Sequence, residues 1–231
     1  MHKFEKNTLE IELPQLSVIE TDGKRMYVTP EGNKYPSVTT VTGWKKREFF
    51  AEWRKKNPEE SKYALQRGND FHTIIEKYLQ NEEVERHSDS KTQKMFEQLK
   101  PELHNINKIL CQEVALWSNH LKLAGRVDCI AEYNGKLSII DFKTSKKMKD
   151  EFEIEEYFLQ ATCYAIMLEE RTGIQISNIV ILMSCDDGST LVFEQKPKKY
   201  IKKLLETIEI YTKDNTKTLD IHNEQSTTIS N

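Results

Sequence analysis

No apolar run in this 231-residue chain approaches the roughly 20 residues that a helix needs to cross a bilayer, so no membrane span is expected. The start, Met1-His2-Lys3-Phe4-Glu5-Lys6, lacks both the apolar stretch of a signal peptide and the arginine-rich, acid-poor character of a transit peptide. A cytoplasmic location is therefore expected, in the host cytoplasm if the source is a virus. The four cysteines, Cys111, Cys129, Cys163 and Cys185, lie far apart and form no Cys-x-x-Cys pair, which signals neither zinc nor a disulfide and leaves them reduced. An excess of positive charge is missing too. The net charge of -3 argues against a protein that coats duplex DNA through its overall field, so contact with nucleic acid has to be local. No internal repeat is evident.

What the chain does contain is 37% hydrophobic and 31% charged residues, enough for one substantial core, and residues 1–212 are expected to form a single domain. Residues 9–41 read as short extended pieces with turns at Asp22-Gly23 and Glu31-Gly32-Asn33, a β-rich lead-in over about 1–41. A short helix is predicted from Arg47 to about Lys56, stopped by Pro58, with Trp53 either in the core or exposed to stack a base. From Glu60 to Leu79, the residues Phe71, Ile74, Ile75, Tyr78 and Leu79 follow the spacing of one buried helical stripe. Next come a helix over Lys91–Leu99 closed by Pro101, and a strand over Ile109–Trp117 with Cys111, Glu113, Ala115 and Trp117 on one face. An amphipathic helix runs from Ile154 to about Thr172-Gly173. Strands Ile179–Met183 and Leu191–Phe193 flank a turn at Asp186-Asp187-Gly188, and a last helix covers Pro197 to about Tyr211. Residues 213–231 are polar and rich in Thr and Asn, and are expected to be a disordered tail. This order fits an α/β domain with a mixed central β-sheet flanked by helices.

The chemistry concentrates on one hairpin. Asn134-Gly135 separates two apolar runs, which is the strongest short hairpin signal, and the runs carry Gly125-Arg126-Val127-Asp128 and Ile139-Ile140-Asp141-Phe142-Lys143-Thr144. Asp141 and Lys143 share a strand face, with Asp128 on the neighbouring strand. Phe142 points into the interior, its carbonyl free to act as a metal ligand beside Asp141. Two carboxylates roughly 5 Å apart repel by about 3 kcal/mol at an effective dielectric of about 20, so a site that keeps both ionised needs a cation such as Mg²⁺ or Mn²⁺. A simple cross-hairpin ion pair is the other reading of the same residues. His72 and Glu76, four apart beside the buried stripe, can reach one point and add an imidazole and a carboxylate; helix periodicity alone also allows His72 to be a packing residue. Glu113, the one acid on its strand face, is either a rim residue or part of the site. The basic run Lys146-Lys147-Met148-Lys149 directly follows the strand that carries Asp141 and Lys143 and suits phosphate contact, whereas Lys196 to Lys203 reads as a solvated helix face.

These residues resemble the PD-(D/E)XK nuclease superfamily in its RecB-like branch. Gly125-Arg126-Val127-Asp128, then Ile140-Asp141-Phe142-Lys143-Thr144, then Gln160 and Tyr164 follow that branch's order. Upstream, Pro36-Ser37-Val38-Thr39-Thr40-Val41, Trp53-Arg54 and Gly68-Asn69-Asp70-Phe71-His72 with Glu76 are similar to signatures of the group that holds the mitochondrial genome maintenance exonucleases and their phage relatives. The chain departs from the group in lacking a threonine after Gly68 and in having Asp141 where many superfamily members have glutamate. The resemblance implies a restriction-endonuclease-like core. It assigns catalysis to Asp128, Asp141 and Lys143, metal binding to His72 with Asp128, Asp141 and the Phe142 carbonyl, with Glu76 and Glu113 as an additional site. Gln160 and Tyr164 would contact DNA near the scissile phosphate, beside Thr144, Lys146 and Lys147; without the resemblance Tyr164 reads as core. The tight cysteine group of the iron–sulfur members is missing, so no such cluster is expected.

The activity implied is a Mg²⁺- or Mn²⁺-dependent DNA exonuclease that prefers single-stranded DNA and acts as a monomer alongside replication, recombination or repair proteins. The compact, Lys- and Asn-rich chain would suit a phage. Two rival readings remain open: an endonuclease of the same superfamily, resolvase or restriction-like, and a catalytically silent nucleic-acid-binding module. Silent members lose an acidic or lysine position, and all are present here.

Overall fold

In the computed structural model, residues 2–7, 9, 12–21 and 24–228 are described, with side chains through Thr216. Fourteen elements follow one another: β1 (Ser17–Thr21), β2 (Lys24–Val28), β3 (Lys34–Pro36), α1 (Val38–Thr42), α2 (Arg47–Lys56), α3 (Pro58–Leu79), α4 (Ser90–Leu103), β4 (Ile106–Ser118), β5 (Leu123–Tyr133), β6 (Lys136–Ser145), α5 (Glu155–Thr172), β7 (Asn178–Cys185), β8 (Thr190–Gln195) and α6 (Ile201–Thr228).

The larger sheet has the order β4-β5-β6-β7-β8 and is mixed. β4, β5 and β6 form an antiparallel meander, β6 and β7 are parallel, and β8 returns antiparallel on β7. A parallel pair needs a crossover, and α5 supplies it. Asn134 and Gly135 adopt φ of 50° and 75°, so both central residues of the β5–β6 turn are left-handed, as the Asn-Gly pair predicts. β7 is buried along its whole length. Its Ile179, Ile181 and Met183 pack with α5, while Val180 and Leu182 pack with α3 and α4. Each face of the sheet is therefore covered by helices, the arrangement expected from the element order.

The buried stripe of α3 lies where its periodicity places it, with Phe71, Ile75 and Leu79 fully buried against α4 and the sheet. Pro58 opens that helix at its first turn, where its missing N–H costs nothing, rather than merely stopping α2. α4 runs one turn past its expected end at Leu99 and continues through Pro101, because Leu103 is completely buried and one lost hydrogen bond near a C-terminus is a small penalty.

At the N-terminal end, β1, β2 and β3 form an antiparallel sheet of their own. The expected Asp22-Gly23 turn lies outside the described residues, whereas the turn at Glu31-Gly32-Asn33 is present with Gly32 at φ 84°. Leu16 and Tyr27 of this region pack with Ala115, Trp117 and Ala124 of the β4–β5 hairpin. Residues 38–41, expected to be extended, fall within α1, because the Ser37 hydroxyl accepts the Thr40 N–H and caps a helical turn that buries Val38 and Val41. α6 extends beyond the expected end near Tyr211, and its backbone is helical to Thr228.

Candidate active site

The site forms where β5 and β6 part. Their ladder runs from Tyr133↔Lys136 to Cys129↔Ile140. At the next position a side chain replaces backbone pairing, and Asp128 Oδ2 accepts the Phe142 N–H at 2.9 Å. β6 continues against β7, so Asp141 and Lys143 are held on a buried strand even as its other partner leaves. Asp141 is 1% exposed; it is ion-paired with Lys143 and accepts from Gln160 Nε2 on α5 at 3.1 Å. Phe142 points the opposite way into the α3–α4 core, its ring edge-on to His72 with centroids 6.4 Å apart.

α3 and β4 complete the group. His72 Nδ1 lies 3.6 Å from Asp128 Oδ2 and 4.0 Å from Glu113 Oε1. One ligand atom from each of His72, Glu113 and Asp128 falls within 4.8 Å of the others, close enough to hold one metal ion. Glu113 reaches this point through a backbone irregularity. Its φ is +50°, and the register on either side, Gln112↔Cys129 and Val114↔Val127, sets it directly across from Asp128. The expected shared face of Cys111, Glu113, Ala115 and Trp117 is thereby broken: Cys111 packs with Val114 toward α5, and Ala115 and Trp117 pack under the N-terminal sheet. Strict alternation fails at a left-handed residue because the strand turns about its own axis there.

A cavity of about 600 Å³ opens over the group, walled by Arg25 and Tyr27 of β2, Val38 and Thr39 of α1, the α3 face bearing Asn69, His72 and Glu76, and Gln160 and Tyr164 of α5. Burial holds His72 down at about 4, helped by the nearby Lys143 ammonium, so the imidazole is neutral near pH 7 and able to ligate. Glu113 is pushed up to about 7 by burial and then by the charges of Asp128 and Glu76. Burial likewise raises Asp128, and raises Asp141 to about 6 against the opposing pull of Lys143. Lys143 is raised despite its burial, because Asp141 and Asp128 favour its ammonium form. One nitrogen and several hard carboxylate oxygens, crowded until their ionisation is opposed, form a donor set suited to a small divalent cation.

Of the residues singled out in the sequence, His72, Glu76, Glu113, Asp128, Lys143, Gln160 and Tyr164 line this cavity. Glu76 also accepts a hydrogen bond from Gln80 at 3.2 Å. Asp141 lies behind His72, Glu113 and Asp128, paired with Lys143 and accepting from Gln160. Tyr164 is 2% exposed and stands against Gly125, where an added Cβ would sit 2.8 Å from the tyrosine hydroxyl. Thr144 pairs with Ser184 in the sheet. Lys146 is drawn away to Glu60 at 2.8 Å, and Lys147 is exposed, its carbonyl accepting from Ser145. Two residues went unnoticed. Tyr157, near the start of the amphipathic helix predicted from Ile154, places its ring 5.0 Å from Lys143 Nζ and 5.6 Å from Lys149 Nζ. Arg25 lies in the lead-in, where no motif marked it.

A mixed sheet whose forked strands carry Asp and Asp-x-Lys defines a class of nuclease, and the sequence comparison agrees: residues 86–226 match the PD-(D/E)XK nuclease superfamily, and the chain belongs to it. Within it, the chain is distantly homologous to mitochondrial genome maintenance exonuclease 1. It is 29% identical over 201 residues to the Mus musculus protein, covering 78% of this chain and 60% of that one. It is 29% identical over 177 residues to the Homo sapiens protein, covering 68% and 51%. The chain thus spans between half and three fifths of the length of these relatives. A solved structure of an exonuclease candidate from Eubacterium rectale superposes with a TM-score of 0.41 at 13% identity, covering 76% of this chain and 63% of that one.

Proposed function

We propose that this nuclease is a divalent-metal-dependent DNA exonuclease that prefers single-stranded DNA and serves replication, recombination or repair. The observation that carries the reading is the convergence of His72, Glu113 and Asp128 ligand atoms beside the Asp141–Lys143 pair. His72, Glu113 and Asp128 would hold the ion, with the Phe142 carbonyl and Asp141 next to it. A bound Mg²⁺ or Mn²⁺ supplies charge neutralisation at the phosphoryl oxygens and lowers the pKa of water.

The protein's own groups do the rest. Lys143 is charged at neutral pH, so its Nζ acts as a hydrogen-bond donor that orients water and offsets developing negative charge, not as a base. Asp141 anchors that ammonium, and Gln160 fixes Asp141 by taking one of its oxygens. Tyr157 limits the swing of Lys143 by offering its ring face. The cavity in which the strand would lie is walled by β2, α1, α3 and α5. Phosphodiester hydrolysis needs roughly 15 kcal/mol or more of barrier lowering, beyond what one lysine provides, which is why the cation belongs in the account.

The test is a gel of end-labelled linear and closed circular single strands and of duplex, each with Mg²⁺, Mn²⁺ or EDTA. The expected result is metal-dependent loss of the linear single strand with the circle intact. Rapid cutting of the circle would instead indicate an endonuclease, and tight binding without product in either metal a silent binding module.

A further inference from the structure

The floor of the cavity is acidic, yet its rim on the β2 side presents an arginine that pairs with none of those acids. Arg25 is exposed to the cavity, and its guanidinium lies over the Tyr27 ring at 5.1 Å. Glu20 stands opposite it in the β1–β2 register, the position from which a cross-strand partner would come. Even so, no ion pair among the described residues includes Arg25. Its direction is set by the ring beneath it, which is itself 3% exposed and packed against Trp117 and Ala124.

Its position relative to the catalytic strands is also fixed. The Ser37 N–H donates to the Arg25 carbonyl at 3.1 Å, and Ser37 makes a β-bridge with Ala124, the residue before Gly125-Arg126. The Ser37 hydroxyl is meanwhile committed to capping α1. One buried serine thus pins β2 to β5, so that Arg25 and Arg126 open onto the same cavity. Arg126 is half exposed and meets Glu113 only at 4.0 Å. A planar guanidinium without a carboxylate, preorganised on an aromatic face at the mouth of a site for a polyanion, is suited to a phosphate oxygen.

We propose that Arg25 binds a backbone phosphate of the DNA strand adjacent to the bond being cleaved, which makes the N-terminal three-stranded sheet the second wall of the substrate site. This rests on the reading of the cavity as a DNA exonuclease site. Arg25→Gln and Arg25→Lys are compared with the unmodified chain by fluorescence anisotropy on a labelled single-stranded oligonucleotide in EDTA, between 50 and 200 mM salt, together with steady-state cleavage in Mn²⁺. Losing one phosphate contact should flatten the log–log salt dependence in Arg25→Gln by about 0.7 and raise KM about tenfold while kcat changes much less. Arg25→Lys should keep the salt slope and recover part of the affinity, and neither change should lower the melting temperature, since the side chain is exposed. Cleavage by the unmodified chain combined with an unchanged slope and KM in Arg25→Gln overturns this proposal alone. An unmodified chain that neither binds nor cleaves DNA overturns the exonuclease reading as well.

Discussion

Replacing Asp128 by asparagine should stabilise the metal-free fold even as it ends cleavage. The carboxylate's structural task is to accept the Phe142 N–H at 2.9 Å, and an amide oxygen can do the same. What the substitution removes is charge. The ligand atoms of Asp128, Glu113 and His72 lie within 4.8 Å of one another, and two full charges at that distance repel by about 3 kcal/mol at an effective dielectric of about 20. Relief of the burial cost of the Asp128 charge adds to this gain, whereas the lost attraction to the Lys143 ammonium and solvent screening at Glu113, which is 24% exposed, subtract from it, leaving a net gain of about 1–2 kcal/mol. For a chain of this size that corresponds to a rise of about 3–6 °C in melting temperature. The pH dependence has a definite sign. Glu113 is raised from 4.5 to about 7, so the folded state binds the extra proton, and the metal-free protein loses stability as pH climbs through that window. The gain from Asp128→Asn should therefore be largest near pH 8 and shrink toward pH 5. Calorimetry in EDTA at both pH values measures it, and adding Mn²⁺ should raise the melting temperature of the unmodified chain only. A variant that melts lower at pH 8, or gains equally at both pH values, refutes the reasoning.

Other consequences follow from the same geometry. Gly125→Ala would bring a methyl group within 2.8 Å of the Tyr164 hydroxyl and 3.2 Å of Val38, costing about 1–3 kcal/mol by denaturant unfolding, and adding Tyr164→Phe should recover part of the loss. Because Glu113 has to release its proton before ligating, apparent Mn²⁺ affinity by calorimetric titration should fall about tenfold per pH unit below 7, and Glu113→Gln should bind weakly with a shallower pH dependence. Tyr157→Leu should lower kcat about tenfold with KM nearly constant, while Tyr157→Phe, which keeps the ring over Lys143, should stay close to the unmodified chain. An equal loss in both Tyr157 variants would assign the role to the hydroxyl instead.

The parts of this protein that could be read from sequence are those decided by local periodicity. The α3 stripe, the Asn134-Gly135 turn and the common face of Asp141 and Lys143 all follow from repeats of 3.6 or 2 residues and from turn chemistry. Glu113 was harder to place, since its position depends on a left-handed residue inside β4 that no composition signal marks, and the face assigned to Cys111 failed for the same reason. The contact of Gln160 with Asp141 joins residues on two elements through a crossover, so local pattern did not show what Gln160 holds, and only the family resemblance marked it. Arg25 is the extreme case. Its place at the cavity depends on Ser37 bridging to Ala124, a contact across much of the chain. Pro101 shows the reverse error, a strong local breaker overridden by the burial of Leu103.

The central claim is that a divalent cation is held between α3, β4 and β5. The most direct measurement is an anomalous difference map from crystals grown with Mn²⁺. The account predicts one strong peak within coordination distance of His72, Glu113 and Asp128; saturating Mn²⁺ with no peak there, or a peak only at a distant surface carboxylate, would contradict it.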